Sequence, residues 1–141
     1  MAKSIVVLLV MMLAIQSCKQ VTDKTGSQPA TAESVQTQAP QNIDIDIQAA
    51  RTMMADNPDI VLLDVRTPEE IANGKIGEAL EMDFTDPGFK DKVAALDKNK
   101  EYIVYCAAGG RSAKAVSLMN ELGFTKAHNM LGGYTDWTQT K

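Results

Sequence analysis

A chain of 141 residues is long enough for one domain with appended segments and too short for two domains of ordinary size. Its formal net charge of −4 at pH 7, with neither a basic run nor a basic stretch interleaved with aromatic residues, disfavours nucleic acid as a partner. The sequence holds two cysteines, Cys18 and Cys106, so the chain beyond residue 40 has one thiol and no internal disulfide.

The first segment is typical of an export signal. Lys3 supplies a basic start, and an unbroken apolar run from Ile5 to Ile15 follows, too short for the roughly 20 residues that cross a bilayer. The sequence IQSC resembles the lipobox of bacterial lipoproteins, in which the cysteine is lipidated and becomes the new N-terminus. Residues 1–17 are therefore predicted to be a lipoprotein-type signal peptide, with Cys18 lipidated and the protein exported and lipid-anchored in the bacterial cell envelope. The alternative is a plain signal peptide followed by a chance cysteine.

The segment after Cys18 is predicted to be a tether. Residues 19–40 are rich in Gln, Thr, Ser, Ala and Pro, contain no aromatic residue, and offer too little apolar surface to offset the entropy of ordering them. Residues 18–40 thus comprise the lipidated cysteine and a flexible linker, which as a random coil would span on the order of 25 Å. Residues 41–141 form the predicted folded domain.

The first half of that domain alternates strand and helix signals. The Ile-Asp alternation after residue 42 predicts a short strand, followed by a helix over about residues 48–55. The apolar run DIVLLDVR is typical of a strand buried on both faces. Thr67, Pro68 and Glu70 then form the pattern of a capped helix start, and a third strand is predicted around residues 79–82.

The second half repeats this alternation. A helix is predicted from Gly88 onward, a buried strand over EYIVYC, and a further helix capped by Ser112 and stopped by Gly123. A short strand over AHNML and a short helix containing Trp137 complete the domain. Five such alternations predict an α/β fold, a parallel five-stranded sheet flanked by helices on both faces. Ligands of such sheets bind at the carboxyl ends of the strands, where Cys106 lies.

The segment after Cys106 is the candidate site. Its small residues leave backbone amides unshielded and free to turn toward one point, and the following helix adds the positive end of its dipole. A cysteine centred there is expected to have a lowered pKa and to react as the thiolate. The alternative is an inert buried cysteine followed by an ordinary glycine turn. The predicted loop consists of Ala107, Ala108, Gly109, Gly110, Arg111 and Ser112.

The spacing of Cys106 and Arg111 separates two families. Cysteine phosphatases have C-x5-R, whereas this chain has the shorter C-x4-R, which resembles the loop of the rhodanese family of sulfurtransferases. Three further segments support that resemblance. LLDVRTPEE is similar to the family's D-V-R-x-x-x-E, GKIGEAL is similar to its G-H-I-x-x-A with Lys75 in place of the histidine and Glu78 in place of a glycine, and LGGYTDW matches its closing G-G-x-x-x-W.

The resemblance implies a rhodanese-like fold and a catalytic Cys106 that carries sulfur as a persulfide. The loop from Ala107 to Ser112 would bind the substrate and the persulfide, with Arg111 attracting a small anionic donor, a thiol or cyanide accepting the sulfur, and no metal or organic cofactor. Asp64, Arg66 and Glu70 are expected to support the site. A structural role is favoured over one for Asp64 and Arg66 as acid or base, with Arg66 and Glu70 paired to fix the loop after the strand.

Two alternatives concern the function itself. A rhodanese-fold module that carries or senses sulfur without turnover stays open, because a fold does not fix a function. A thioredoxin-like exchanger is disfavoured, since the domain lacks a resolving thiol. The single histidine, His128, is expected to be structural rather than a general base, and the protein is expected to be a monomer.

Overall fold

Five short strands and five helices alternate along residues 43–140, the part of the chain that this computed structural model describes. The strands are β1 (Asp44–Ile45), β2 (Val61–Asp64), β3 (Leu80–Glu81), β4 (Tyr102–Tyr105) and β5 (Ala127–Met130). The helices are α1 (Ile47–Asp56), α2 (Pro68–Ile71), α3 (Phe89–Ala94), α4 (Gly110–Glu121) and α5 (Gly133–Gln139).

The strands form one parallel sheet in the order β1-β5-β4-β2-β3. The central strand β4 is buried along its whole length, which explains its continuous apolar sequence. Its side chains alternate between two cores: Tyr102 and Val104 pack with α3 and α4, whereas Ile103 and Tyr105 pack with residues of α1 and α5. Helices therefore cover both faces, which confirms the predicted α/β architecture.

Local capping signals fix two helix starts. The Thr67 hydroxyl accepts from the Glu70 backbone N–H at 3.4 Å, and the Glu70 carboxylate accepts from the Thr67 N–H at 3.0 Å. This is the reciprocal capping box that the sequence predicts for α2. In α1, the Asp46 carboxylate accepts from the Ala49 N–H at 2.7 Å, so the helix begins at Ile47 and leaves β1 shorter than the Ile-Asp alternation suggests.

Helix α4 differs from its prediction at its start. The predicted cap, Ser112, lies inside the first turn, because the helix begins at Gly110 and its N-cap is Gly109 in the left-handed region (φ +96°). The Ser112 hydroxyl consequently does not cap the helix and lies inside the cysteine loop. The predicted stop is confirmed, since Gly123 follows the last turn with a positive φ of 91°.

No helix within residues 43–140 has the length and apolar character needed to span a membrane. The predicted signal peptide, Cys18 and the tether lie outside the described residues.

Candidate active site

Cys106 follows the last residue of β4, at the carboxyl end of the central strand. Only 2% of its surface is exposed. Its Sγ accepts a hydrogen bond from the Gly109 backbone N–H at 3.1 Å and lies 3.6 Å from the Ser112 hydroxyl oxygen. The loop from Cys106 to Ser112 therefore curls around the sulfur and presents donors to it.

These donors lower the pKa of Cys106. Burial raises the pKa of the thiol, but hydrogen bonds from the Ser112 hydroxyl and from the backbone amides of Ser112, Ala108 and Gly109 outweigh that effect. Each of these donors stabilises the thiolate, which is the nucleophilic form of cysteine. The site is built to hold negative charge on sulfur.

The first residues of α5 hold the loop from behind. The Tyr134 N–H donates to the Cys106 carbonyl at 2.8 Å, and the Thr135 N–H donates to the Ala107 carbonyl at 3.0 Å. Gly133 allows this close approach: its φ is +56°, and a Cβ there would overlap the Cys106 carbonyl oxygen and lie 2.7 Å from the Ala107 carbonyl atoms. With their carbonyls fixed toward α5, the loop residues turn their amides toward the sulfur.

Arg111 forms an ion pair with Glu70. Its Nη1 donates to Glu70 Oε2 at 2.7 Å and its Nη2 donates to Oε1 at 2.6 Å, a bidentate pair between α4 and α2. Hydrogen bonding to Arg111 is the main cause that lowers the pKa of Glu70 to about 2, and the same pairing raises the pKa of Arg111. The predicted pair between Arg66 and Glu70 is wrong, because the carboxylate of Glu70 turns toward the cysteine loop.

Arg66 instead pairs with Asp64, and both side chains are buried. Nη2 of Arg66 donates to Asp64 Oδ2 at 2.6 Å and to the Gly74 carbonyl at 2.8 Å, and its guanidinium carbon lies 3.9 Å from the centre of the Tyr134 ring. Nη1 reaches only the backbone carbonyl of Glu70, at 3.3 Å. Asp64 and Arg66 thus brace the segment around α2 and the start of α5.

One residue of the site was missed from the sequence. The Oδ1 of Asn129, in β5, accepts from the Ser112 hydroxyl at 2.7 Å, and its Nδ2 donates to Asp44 Oδ1 at 2.8 Å. Asn129 is buried and links the loop serine to β1. The signal that could have identified Asn129 is a polar residue in a short buried strand, one position before the carboxyl end of that strand.

His128 and Lys75 lie apart from the loop contacts. His128 Nε2 is 2.9 Å from Glu101 Oε1, before the start of β4, which agrees with the expected structural role. Lys75 Nζ pairs with Glu81 Oε1 at 2.7 Å beside β3. Within residues 43–140, no three His, Cys, Asp or Glu side chains are grouped in a way that could hold a metal ion.

The fold and the loop define a class of protein: a parallel α/β domain with an activated thiol, surrounded by backbone amides, at the carboxyl end of the central strand. The rhodanese-like domain family matches residues 46–140. A sulfurtransferase of Allochromatium vinosum is 30% identical over 96 residues, covering 68% of this chain and 88% of its own length. A putative sulfurtransferase of Bacillus subtilis is 34% identical over 94 residues, covering 67% and 88% respectively.

Two solved structures of rhodanese-like proteins have a similar fold. The crystal structure of a rhodanese-like domain protein from Staphylococcus aureus superposes with a TM-score of 0.61 at 30% identity, covering 68% of this chain and 90% of that one. A rhodanese-related protein from Thermoplasma volcanium gives a TM-score of 0.60 at 28% identity, covering 68% of this chain and 90% of that one. The chain belongs to the rhodanese-like family.

Proposed function

We propose that this protein is a sulfurtransferase that carries a sulfane sulfur on Cys106, from a donor such as thiosulfate to a thiol or cyanide. The observation that carries the proposal is the position of Sγ, buried at the centre of a loop whose Gly109 amide donates to it at 3.1 Å. Donors arranged in advance around an anionic sulfur stabilise both the attacking thiolate and the terminal sulfur of a persulfide.

The reaction proceeds in two steps. The Cys106 thiolate attacks the outer sulfur of thiosulfate, a new S–S bond forms at Cys106, the S–S bond of the donor breaks, and sulfite leaves with the electron pair. A thiolate or cyanide ion then attacks the terminal sulfur of the persulfide, which releases the Cys106 thiolate and gives a new persulfide or thiocyanate. Ping-pong kinetics are expected, because the donor leaves before the acceptor reacts.

The test compares the purified protein with its Cys106→Ser variant. Each is incubated with thiosulfate or with methanethiosulfonate, its intact mass is recorded, and thiocyanate is assayed after cyanide is added. We expect the wild type alone to gain one sulfur atom and to lose it to cyanide over many turnovers. A gain without turnover would favour a sulfur carrier or sensor, and no gain with either donor would contradict the proposal.

We further propose that the protein is exported and held in the cell envelope by a lipid on Cys18. The basic start, the apolar run and the IQSC motif support this. Metabolic labelling with a palmitate analogue tests it: the wild type should incorporate label and partition with membranes, and the Cys18→Ser variant should do neither. An unlabelled wild type would contradict it.

A further inference from the structure

The cation of the cysteine loop, Arg111, is paired with a carboxylate. Both terminal nitrogens of Arg111 are bound by the two carboxylate oxygens of Glu70, at 2.7 and 2.6 Å. Glu70 is itself held in place, because its Oε2 also accepts from the Thr67 N–H at 3.0 Å. A donor anion that reached the loop would meet an ion pair rather than a free guanidinium.

Three other basic side chains are also paired with carboxylates. Arg66 is bound to Asp64, Lys75 to Glu81, and Lys92 to Asp86. Lys114, one turn beyond Arg111 on α4, is exposed, so solvent and salt screen its charge.

The formal side-chain charges at the reacting centre therefore oppose additional negative charge, although the loop amides stabilise the sulfur anion itself. Between Cys106 and Arg111 the loop consists of alanine and glycine and adds no charge. The Cys106 thiolate, Arg111 and Glu70 together leave one net negative charge. The Coulomb cost of bringing a donor to this centre grows in proportion to the donor's own negative charge.

We propose that Glu70 determines donor specificity: by compensating Arg111, it favours sulfane-sulfur donors of low charge, such as monoanionic thiosulfonates and persulfides, over the dianion thiosulfate. This rests on the proposed sulfur transfer at Cys106 and names the class of donor that the same site takes.

Thiosulfate and methanethiosulfonate test the charge effect through the ratio of the variant rate to the wild-type rate for each donor, which cancels the difference between their leaving groups. Both present a terminal sulfane sulfur to the Cys106 thiolate and leave the same persulfide, with sulfite departing from the first and methanesulfinate from the second. A methyl group replaces one oxygen, so the donors have similar size and differ by one negative charge. The rate of persulfide formation on Cys106 is measured for each donor at about 0.01 M and at about 1 M ionic strength.

The variant is Glu70→Gln, which removes the charge and keeps a side chain that also serves in a capping box. At low ionic strength we expect its rate constant to rise about tenfold for thiosulfate and about threefold for methanethiosulfonate, since the dianion feels the removed charge twice. Both gains should shrink at high salt. Glu69→Gln is the matched control: it removes an exposed charge from the same helix and should change neither rate.

A uniform fall in both rates for Glu70→Gln would overturn the proposal, because Glu70 would then only position Arg111. A ratio of variant rate to wild-type rate that is equal for the two donors and does not respond to salt would also overturn it, while leaving sulfur transfer intact. If the wild type forms a persulfide with neither donor, both the proposed sulfur transfer and the proposed donor specificity are contradicted.

Alkylation tests the same charge without sulfur transfer. Iodoacetamide is neutral and iodoacetate carries one negative charge, and both attach to the Cys106 thiolate. The ratio of the iodoacetate rate to the iodoacetamide rate should rise about threefold in Glu70→Gln and stay constant in Glu69→Gln. An unchanged ratio in Glu70→Gln would overturn the proposed charge effect.

Discussion

The hydroxyl of Ser112 is a single donor with three acceptors in reach. Its oxygen lies 2.7 Å from Asn129 Oδ1, 3.0 Å from the Gly109 carbonyl and 3.6 Å from Cys106 Sγ. The shortest contact holds the proton toward Asn129. When negative charge develops on sulfur, rotation of the same hydroxyl directs its proton to the anion, a stronger acceptor than a neutral amide.

Replacing Ser112 by alanine is therefore expected to raise the pKa of Cys106. The substitution removes one hydrogen-bond donor to the thiolate and leaves the loop amides in place, so the thiolate loses part of its stabilisation. The measurement is the pH dependence of Cys106 alkylation by iodoacetamide, whose midpoint reports the thiol pKa. Ser117→Ala is the control, since that hydroxyl donates to the Ala113 carbonyl on the exposed face of α4. An unmoved midpoint in Ser112→Ala would show that the amides alone set the pKa.

The residues that sequence reasoning found at the site are close together in the chain. Cys106 and its loop are contiguous, so small residues between a buried strand and a helix were enough to predict an amide cradle. The partner of Glu70 was not predictable in this way: Arg111 lies 41 positions away, whereas Arg66 lies only four. Burial determines which arginine pairs with Glu70, because Arg66 is enclosed with Asp64 and cannot turn to the half-buried Glu70 carboxylate.

At the scale of elements, the Gly132-Gly133 turn is the contact that shapes the loop. It brings the first amides of α5 against the carbonyls of Cys106 and Ala107. A side chain at Gly133 would require both a strained backbone and displacement of those carbonyls.

Gly133→Ala is expected to lower the free energy of unfolding by about 1–3 kcal/mol and to raise the Cys106 pKa, because the loop amides lose their alignment. Gly110→Ala is the matched comparison: its Cβ meets nothing within 4 Å and its φ is not positive. That variant should be neutral or more stable by up to about 1 kcal/mol, since alanine is the better helix former. Urea denaturation of both variants provides the measurement, and equal losses would contradict the role of the Gly133 contact.

Helix starts show what local sequence can and cannot predict. The start of α2 was predicted correctly, because Thr67 and Glu70 satisfy each other within four residues. The start of α4 was predicted three residues late, because serine is a common cap and no local sequence signal indicates that Gly109 adopts a left-handed φ. That conformation places the Gly109 carbonyl and amide in the loop, where Ser112 and Cys106 use them.

At the scale of the whole molecule, one buried ion pair joins several parts of the domain. Arg66 binds Asp64 at the end of β2, the backbone around α2, and the ring of Tyr134 in α5. One guanidinium therefore links three parts of the domain: the sheet, the segment that carries Glu70, and the helix behind the cysteine loop.

Arg66→Met is expected to cost about 3–5 kcal/mol of unfolding free energy, because it leaves the Asp64 carboxylate buried without its cation. Lys92→Met breaks the ion pair between Lys92, 52% exposed, and Asp86, 34% exposed, and should cost far less, because solvent screens this pair. Chemical denaturation checks both values. A loss in Arg66→Met no larger than that in Lys92→Met would show that Asp64 finds other partners.

Acid should weaken the whole domain through Glu70. Its folded pKa of about 2 lies below the ordinary 4.5, so its contribution to stability is complete above about pH 4.5 and is lost as the pH falls toward 2. The Glu70 side chain is 34% exposed, so screening by solvent limits this contribution to about 1 kcal/mol. Unfolding curves of the wild type and Glu70→Gln should therefore differ at neutral pH and converge near pH 2. A constant difference across that range would contradict the assignment.

The contact between α5 and the cysteine loop also makes the loop observable by isotope exchange. The amide protons of Tyr134 and Thr135 are donated to the carbonyls of Cys106 and Ala107, so they exchange with deuterium only when the loop separates from the helix. Their uptake thus measures how often the loop opens, in a segment that contains no reacting atom. Comparing deuterium uptake before and after sulfur is loaded would show whether the sulfur bound to Cys106 makes loop opening rarer or more frequent.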